Sequence, residues 1–126
     1  ILNKKSVYIN GDGETSRDFC YIDNAVQTNI LAAMTENSEA TDQVYNVALN
    51  DRTSLNELYR MIEDSLIKNI QGLEKKEPIY RDFRPGDVRH SQASIDKAKE
   101  LLEYQPQFRI AEGLNEAIGW YINSFK

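Results

Sequence analysis

Arginine, aspartate and glycine crowd into one stretch of this sequence. Tyr80 to Ser91 reads YRDFRPGDVRHS and holds Arg81, Arg84, Arg89, Asp82, Asp87, a Pro-Gly pair and the only histidine, His90. A second arginine-bearing stretch, Gly11 to Asn24, reads GDGETSRDFCYIDN and carries Arg17. A guanidinium is a planar fork of donors that matches phosphate oxygens and stays charged at any working pH. Two arginines from separate segments can therefore clamp a diphosphate, and Asp87 beside Gly86 can accept hydrogen bonds from vicinal ribose hydroxyls. The competing reading is local ion pairing, Arg17 with Asp18 and Arg84 with Asp87, which stabilises a surface only weakly. Arg89 and His90 are read as a pocket rim or a solvated loop.

Other chemistries find little support. Neither G-x-G-x-x-G nor G-x-x-G-x-x-G occurs, so the chain carries no dinucleotide fingerprint. One cysteine and one histidine cannot make a zinc site. A Ser-His-Asp triad could be written around His90, but no spacing favours it. Gly11-Asp12-Gly13 is too short to cradle a phosphate and reads as a turn. No catalytic residue, cofactor ligand or metal ligand is assigned.

The chain has 126 residues, enough for one domain or part of a larger fold, with a core that buries roughly two-thirds of its unfolded surface. Its net charge of −5 and pI near 4.9 argue against non-specific nucleic-acid binding, so an anion needs a locally built basic site. Cys20 has no partner for a disulfide and reads as a buried reduced thiol. With no secretory signal and no apolar run of roughly 18 residues, a cytoplasmic protein without a membrane span is expected. The opening ILNKK has neither an initiator Met nor a targeting pattern, which predicts a piece of a longer protein.

The elements that must position the arginines follow from local patterns. Ser6 to Asn10 reads as a strand, followed by a turn in which Gly11 and Gly13 take positive φ. Asp18 to Ile22 reads as a second extended segment. A helix follows, capped by Asp23, with Val26, Ile30, Ala33 and Met34 on one face. Gln43 to Ala48 reads as a strand. Ser54 and Glu57 form a capping box that opens a helix with Leu55, Leu58, Tyr59, Ile62 and Leu66 inward. Ile79 to Phe83 reads as a short strand broken at Pro85-Gly86. Ser94 caps a helix that buries Ile95, Ala98, Leu101 and Leu102 and stops at Pro106. The last helix runs from about Ala111 to Phe125 along Leu114, Ile118, Tyr121, Ile122 and Phe125, with Trp120 and Tyr121 read as core. The class is mixed α/β with few, short strands.

Four stretches, YINGDGETSRDFCYIDN, VYNVALNDRTSLNEL, RPGDVRHSQASIDKAKELL and EGLNEAIGWY, occur in an order that resembles the extended short-chain dehydrogenase/reductase family. The resemblance is to the C-terminal part of its NAD-dependent nucleotide-sugar epimerases and dehydratases. Within that family the chain is most similar to bacterial UDP-N-acetylglucosamine 4-epimerases of surface-polysaccharide synthesis. The resemblance implies that residues 1–126 are a nucleotide-sugar-binding portion, and that an NAD-binding Rossmann half with a Tyr-x-x-x-Lys pair lies outside this chain. It implies that Arg17 and Arg84 contact the diphosphate, that Asp87 binds the ribose, and that Tyr8 and Asn10 lie along the base. Ser91 takes a wall of the sugar pocket, where a small side chain leaves room for a 2-acetamido group. NAD is expected in the full-length enzyme, with none bound by this chain alone. The implied partners are a UDP-sugar and a second copy of the full-length enzyme. The alternatives are a dehydratase, a UDP-glucuronate decarboxylase, a UDP-glucose 4-epimerase, a stand-alone nucleotide-sugar binding module, or an inactive piece that associates by exchanging elements.

Overall fold

A computed structural model describes residues 1–124. The elements in chain order are β1 (Tyr8–Asn10), β2 (Ser16–Arg17), α1 (Ile22–Met34), a 3-10 turn at Ser38–Ala40, β3 (Thr53–Ser54), α2 (Leu55–Asn69), β4 (Ile79–Arg81), α3 (Asp96–Leu102) and α4 (Ile110–Ser124). The class is α/β, as the pattern predicts. Phe125, expected on the stripe of the last helix, lies outside the described residues.

The strands form two small sheets rather than one. β1 runs parallel to β4, with Tyr8 opposite Ile79 and Asn10 opposite Arg81. β2 runs antiparallel to β3, with Ser16 opposite Ser54 and Arg17 opposite Thr53. Strand alternation buries Ile9 and leaves Tyr8 exposed and Asn10 half-buried. The turn between β1 and β2 needs its glycines: Gly11 and Gly13 have φ of 81° and 80°. A Cβ on Gly11 would also meet the Phe83 ring at 2.4 Å.

The core lies under the helices. Ala48, Ile95, Ala98 and Tyr104 are its buried centre, with Leu31, Tyr45, Val47 and Ala93 against it. Tyr104 is fully buried, and its hydroxyl donates to the Ala48 carbonyl at 3.1 Å. α2 is fixed at its start by the expected capping box, with Ser54 and Glu57 exchanging bonds. α2 then packs against α4.

Several expectations are corrected. Gln43 to Ala48 is not a strand; the third strand is Thr53–Ser54, because only there does the chain find a pairing partner in β2. α1 starts at Ile22 after Tyr21, earlier than an Asp23 cap would place it. It is also rotated: Asn24 and Thr28 are buried, while Val26, Ile30 and Met34 are 46%, 52% and 74% exposed. The buried Asn24 amide explains the rotation. It donates to the Phe108 carbonyl at 2.8 Å and accepts from the Gln107 and Phe108 N–H groups at 2.9 and 3.1 Å, stapling α1 to the segment before α4. Trp120 and Tyr121 are not core: they are 66% and 49% exposed and pack edge to face on each other. α3 ends at Leu102, well before Pro106, where Glu103 takes a left-handed turn with φ of 55°. Ser94 lies one residue outside the cap of α3, although its hydroxyl does accept the Asp96 N–H at 3.3 Å. Cys20 is free and partly buried, and burial pushes its thiol pKa up.

Candidate functional site

The two arginine-bearing segments meet. β2 emerges from the glycine turn and lies beside the loop that follows β4. The Ser16 N–H donates to the Arg89 carbonyl at 2.9 Å, and the Ser91 N–H donates to the Ser16 carbonyl at 3.1 Å. This isolated parallel bridge pairs Ser16 with His90. Arg17 follows Ser16 and therefore reaches across to the loop. Its Nη2 donates to Asp87 Oδ1 at 2.5 Å, and its Nη1 donates to the Ser16 carbonyl at 2.8 Å.

Arg17 and Asp87 are 70 residues apart in sequence. Their pairing replaces both local pairs that neighbouring charges predict. Asp18 turns away from Arg17 and accepts three backbone N–H groups instead, from Leu49 at 2.9 Å, Asp51 at 3.3 Å and Ala93 at 3.4 Å. Asp87 meets Arg84 only through a turn, its N–H donating to the Arg84 carbonyl at 3.2 Å. The Arg84 guanidinium enters no ion pair among the described residues. Two of the Arg17 N–H groups are thus fixed by protein, which orients the fork, while Arg84 stays an exposed cation three residues from Asp87.

Ser91 is exposed at the end of the bridge. Tyr8 and Asn10 stand on β1, in the other sheet, paired with β4. The Arg81 guanidinium lies over the Tyr8 ring, 3.4 Å from its centroid. No hydrogen bond among the described residues ties Tyr8 or Asn10 to Arg17, Arg84, Asp87 or Ser91. The structure therefore brings Arg17 and Asp87 together beside the bridge that holds Ser91, and leaves Tyr8 and Asn10 in the other sheet.

Arg89 and His90 lie on an exposed loop, as read from the sequence, but both are engaged. Arg89 Nη2 donates to Asp12 Oδ2 at 2.6 Å, and its guanidinium lies 5.3 Å from the Phe83 ring centroid. That bond is the main reason the Asp12 carboxyl sits below its ordinary range and the Arg89 pKa above its own. His90 Nδ1 is 2.9 Å from the Ser16 hydroxyl. No carboxylate bonds the His90 ring among the described residues, so the pair is not a triad. The sequence reading gave Ser16 no role, left Asp12 as part of a turn and paired Asp18 with Arg17; the partners that these three find lie far along the chain, beyond the reach of local spacing.

A cavity of about 610 Å³ lies elsewhere. Its lining is mostly apolar, with Ile1, Leu2, Phe19, Leu58, Ile62 and Ile118, and includes no arginine. Among the described residues no group of acidic, histidine or cysteine side chains has metal-holding geometry. None of the described helices is long and apolar enough to cross a membrane.

Residues 1–117 match the family model described as GDP-mannose 4,6 dehydratase. The chain belongs to that family. Relatives of the GDP-mannose 4,6 dehydratase family that resemble it are sugar-nucleotide epimerases and dehydratases. A putative UDP-glucose 4-epimerase of Methanocaldococcus jannaschii is 30% identical over 98% of this chain and 37% of its own length. The UDP-N-acetylglucosamine 4-epimerase of Methanobrevibacter ruminantium, solved with UDP-N-acetylmuramic acid, superposes with a TM-score of 0.83 at 35% identity, covering 98% of this chain and 36% of that one. A UDP-glucuronic acid 4-epimerase of Bacillus cereus, solved with a fluorinated UDP-glucuronic acid and NAD, gives a TM-score of 0.83 at 27% identity, with coverage of 99% and 37%. The chain thus spans little more than a third of the proteins it matches, and it corresponds to the C-terminal portion of the epimerase structures.

Proposed function

We propose that this chain is the nucleotide-sugar-holding portion of an NAD-dependent UDP-sugar 4-epimerase, with a UDP-N-acetylhexosamine as substrate. One observation carries the reading: Arg17 and Asp87, from two distant motifs of the family pattern, meet at 2.5 Å, and Arg84, three residues before Asp87, enters no ion pair among the described residues. In this reading Arg17 and Arg84 grip the diphosphate. Arg17 is oriented in advance by the Ser16 carbonyl and by Asp87, so little ordering is left for the ligand to impose. Asp87 keeps its second carboxylate oxygen for a ribose hydroxyl. Tyr8 and Asn10 border the base, and Ser91 leaves space for a 2-acetamido group.

NAD, held by a preceding Rossmann half, would supply hydride removal and return at the sugar. The chain itself has no glycine-rich dinucleotide loop and no Tyr-x-x-x-Lys pair, so its share is to hold the UDP while the sugar turns. By itself it is inactive. Two exposed features support a neighbouring half. The stripe of Ile22, Val26, Ile30 and Met34 on α1 faces outward, and Val44, in a segment with no strand partner among the described residues, is 86% exposed. A sheet edge and its covering layer would bury both. In the whole protein a second copy completes a homodimer, and the enzyme works in the cytoplasm.

The test uses the intact gene product. Arg84→Ala should weaken UDP binding by about 2 kcal/mol, roughly 30-fold, as loss of a charge-assisted contact does. Unchanged binding would leave Arg84 a mere surface residue and remove the clamp. UDP-N-acetylglucosamine should be turned over in preference to UDP-glucose, and Ser91→Tyr should reverse that order. A wild-type preference for the plain sugar would overturn the acetamido assignment.

A further inference from the structure

Ser16 uses every polar group it has. Its carbonyl accepts two bonds at once, from Arg17 Nη1 at 2.8 Å and from the Ser91 N–H at 3.1 Å. Its N–H donates to the Arg89 carbonyl, and its hydroxyl meets His90 Nδ1 at 2.9 Å. The residue is 6% exposed and is held on its other side by β3. Every residue from 79 to 92 is exposed, so the loop cannot be located by burial. Its backbone register against β2 is fixed by the two bridge bonds, and the His90 side chain is the only one in the loop that bonds Ser16.

We infer that His90 is a positioning residue for the sugar-nucleotide site. Its ring, bonded to the Ser16 hydroxyl, holds the loop in the one register that lets a single carbonyl fix both Arg17 and Ser91. A slip of one residue would turn Ser91 to the opposite face of the bridge and move Asp87 away from Arg17. The neighbouring Arg89 side chain cannot replace it, because Arg89 bonds Asp12 on the turn rather than β2. His90 also borders a polar cleft of about 490 Å³ lined by Glu14, Asp51, Arg52, Glu57 and Gln92, which leaves its outer ring edge in water. The role assigned here rests on the proposed function, since Ser91 and Arg17 matter only if they meet a ligand.

The experiment uses the intact protein with His90→Ala, His90→Asn, His90→Gln and Ser16→Ala. Asparagine puts a hydrogen-bonding atom where Nδ1 stood, whereas glutamine puts it where Nε2 stood. His90→Ala should speed amide exchange in the peptide holding Ser91 by about fivefold, the loss of one net hydrogen bond. It should raise KM for UDP-N-acetylglucosamine several-fold with kcat nearly unchanged. His90→Asn should restore both and His90→Gln neither. Ser16→Ala should copy His90→Ala, and the double variant should add nothing further. Unaltered exchange, or equal rescue by asparagine and glutamine, would overturn the positioning role even in a protein that binds UDP. A wild-type protein that fails to bind UDP would instead overturn the functional reading, and the positioning role with it.

Discussion

The helical layer and the arginine loops are two regions of one small molecule held by different forces. Around Tyr104, Ile95 and Ala98, side chains are almost wholly buried, and the Tyr104 hydroxyl is bonded to the Ala48 carbonyl. Around Arg17, Asp87 and Arg89, the side chains are open to water and joined by charge. The first region gains its stability from area removed from water, which is lost only when atoms are removed. The second gains little stability from its ion pairs, because water and salt screen them. What it gains is orientation: two anchored guanidinium N–H groups on Arg17 and a loop in fixed register. A mutation in the first region should therefore unfold the protein, and one in the second should weaken a ligand while leaving the fold.

The largest effect should come from Tyr104→Ala. Removing a fully buried ring leaves a cavity and strands the Ala48 carbonyl, at a cost of about 4 kcal/mol. Denaturant midpoints should fall accordingly, while UDP affinity, measured where the variant is folded, stays within about twofold. A loss below about 1 kcal/mol would mean that the core is not where the burial places it. Asn24→Ala comes next. It leaves two N–H groups and one carbonyl of residues 107 and 108 without their partner, at about 2 kcal/mol. Equal stability of the variant would mean that water replaces the amide and that the rotation of α1 has another cause.

Asn24 also shows where the sequence stopped being legible. The capping box of α2 was readable because Ser54 and Glu57 are three residues apart and need nothing else. The glycine turn was readable because a positive φ is a property of the residue. The strand expected at Gln43 to Ala48 was not, since pairing belongs to two segments, and that segment has no partner among the described residues. The face of α1 was misread for a similar reason. Its apolar stripe is real, but the side that turns inward is chosen by Asn24, whose partners lie more than 80 residues away. At the site, the residue types were legible and the pairing was not. Adjacent charges suggested Arg17 with Asp18, whereas Asp18 is occupied by three backbone amides and releases Arg17 to Asp87.

That release gives the next prediction, in which ligand and fold should part company. Arg17→Ala should cost about tenfold or more in UDP affinity, through loss of a charge-assisted contact. It should change stability by less than about 1 kcal/mol, because the Arg17 side chain is 29% and the Asp87 side chain 40% exposed. Calorimetric titration beside a denaturant melt separates the two numbers. A large loss of stability with intact UDP binding would make the pair a structural bridge and erase the contrast between the regions.

The smallest effects should appear as pH is moved, and they should come from opposite ends of the scale. Arg89 holds the Asp12 carboxyl below its ordinary range, so the unfolded chain takes up that proton first as pH falls. The contribution is present above the ordinary carboxylate range and is lost as pH drops through the depressed value. The side chains are exposed, so the change should be slight, and it should shrink further as salt is added. Tyr59 and Tyr104 behave in the opposite sense. Burial is the first cause that pushes each up to about 12. The unfolded chain loses these protons near the ordinary tyrosine value of about 10, so stability falls as pH climbs from there towards 12. Melts across pH should therefore give an alkaline limb that Tyr59→Phe reduces and salt leaves alone, and an acid limb in which Asp12→Asn and salt reduce the same small component. An acid component left at full size by both Asp12→Asn and added salt would show that it comes from other carboxylates and that the Asp12–Arg89 pair contributes nothing to stability.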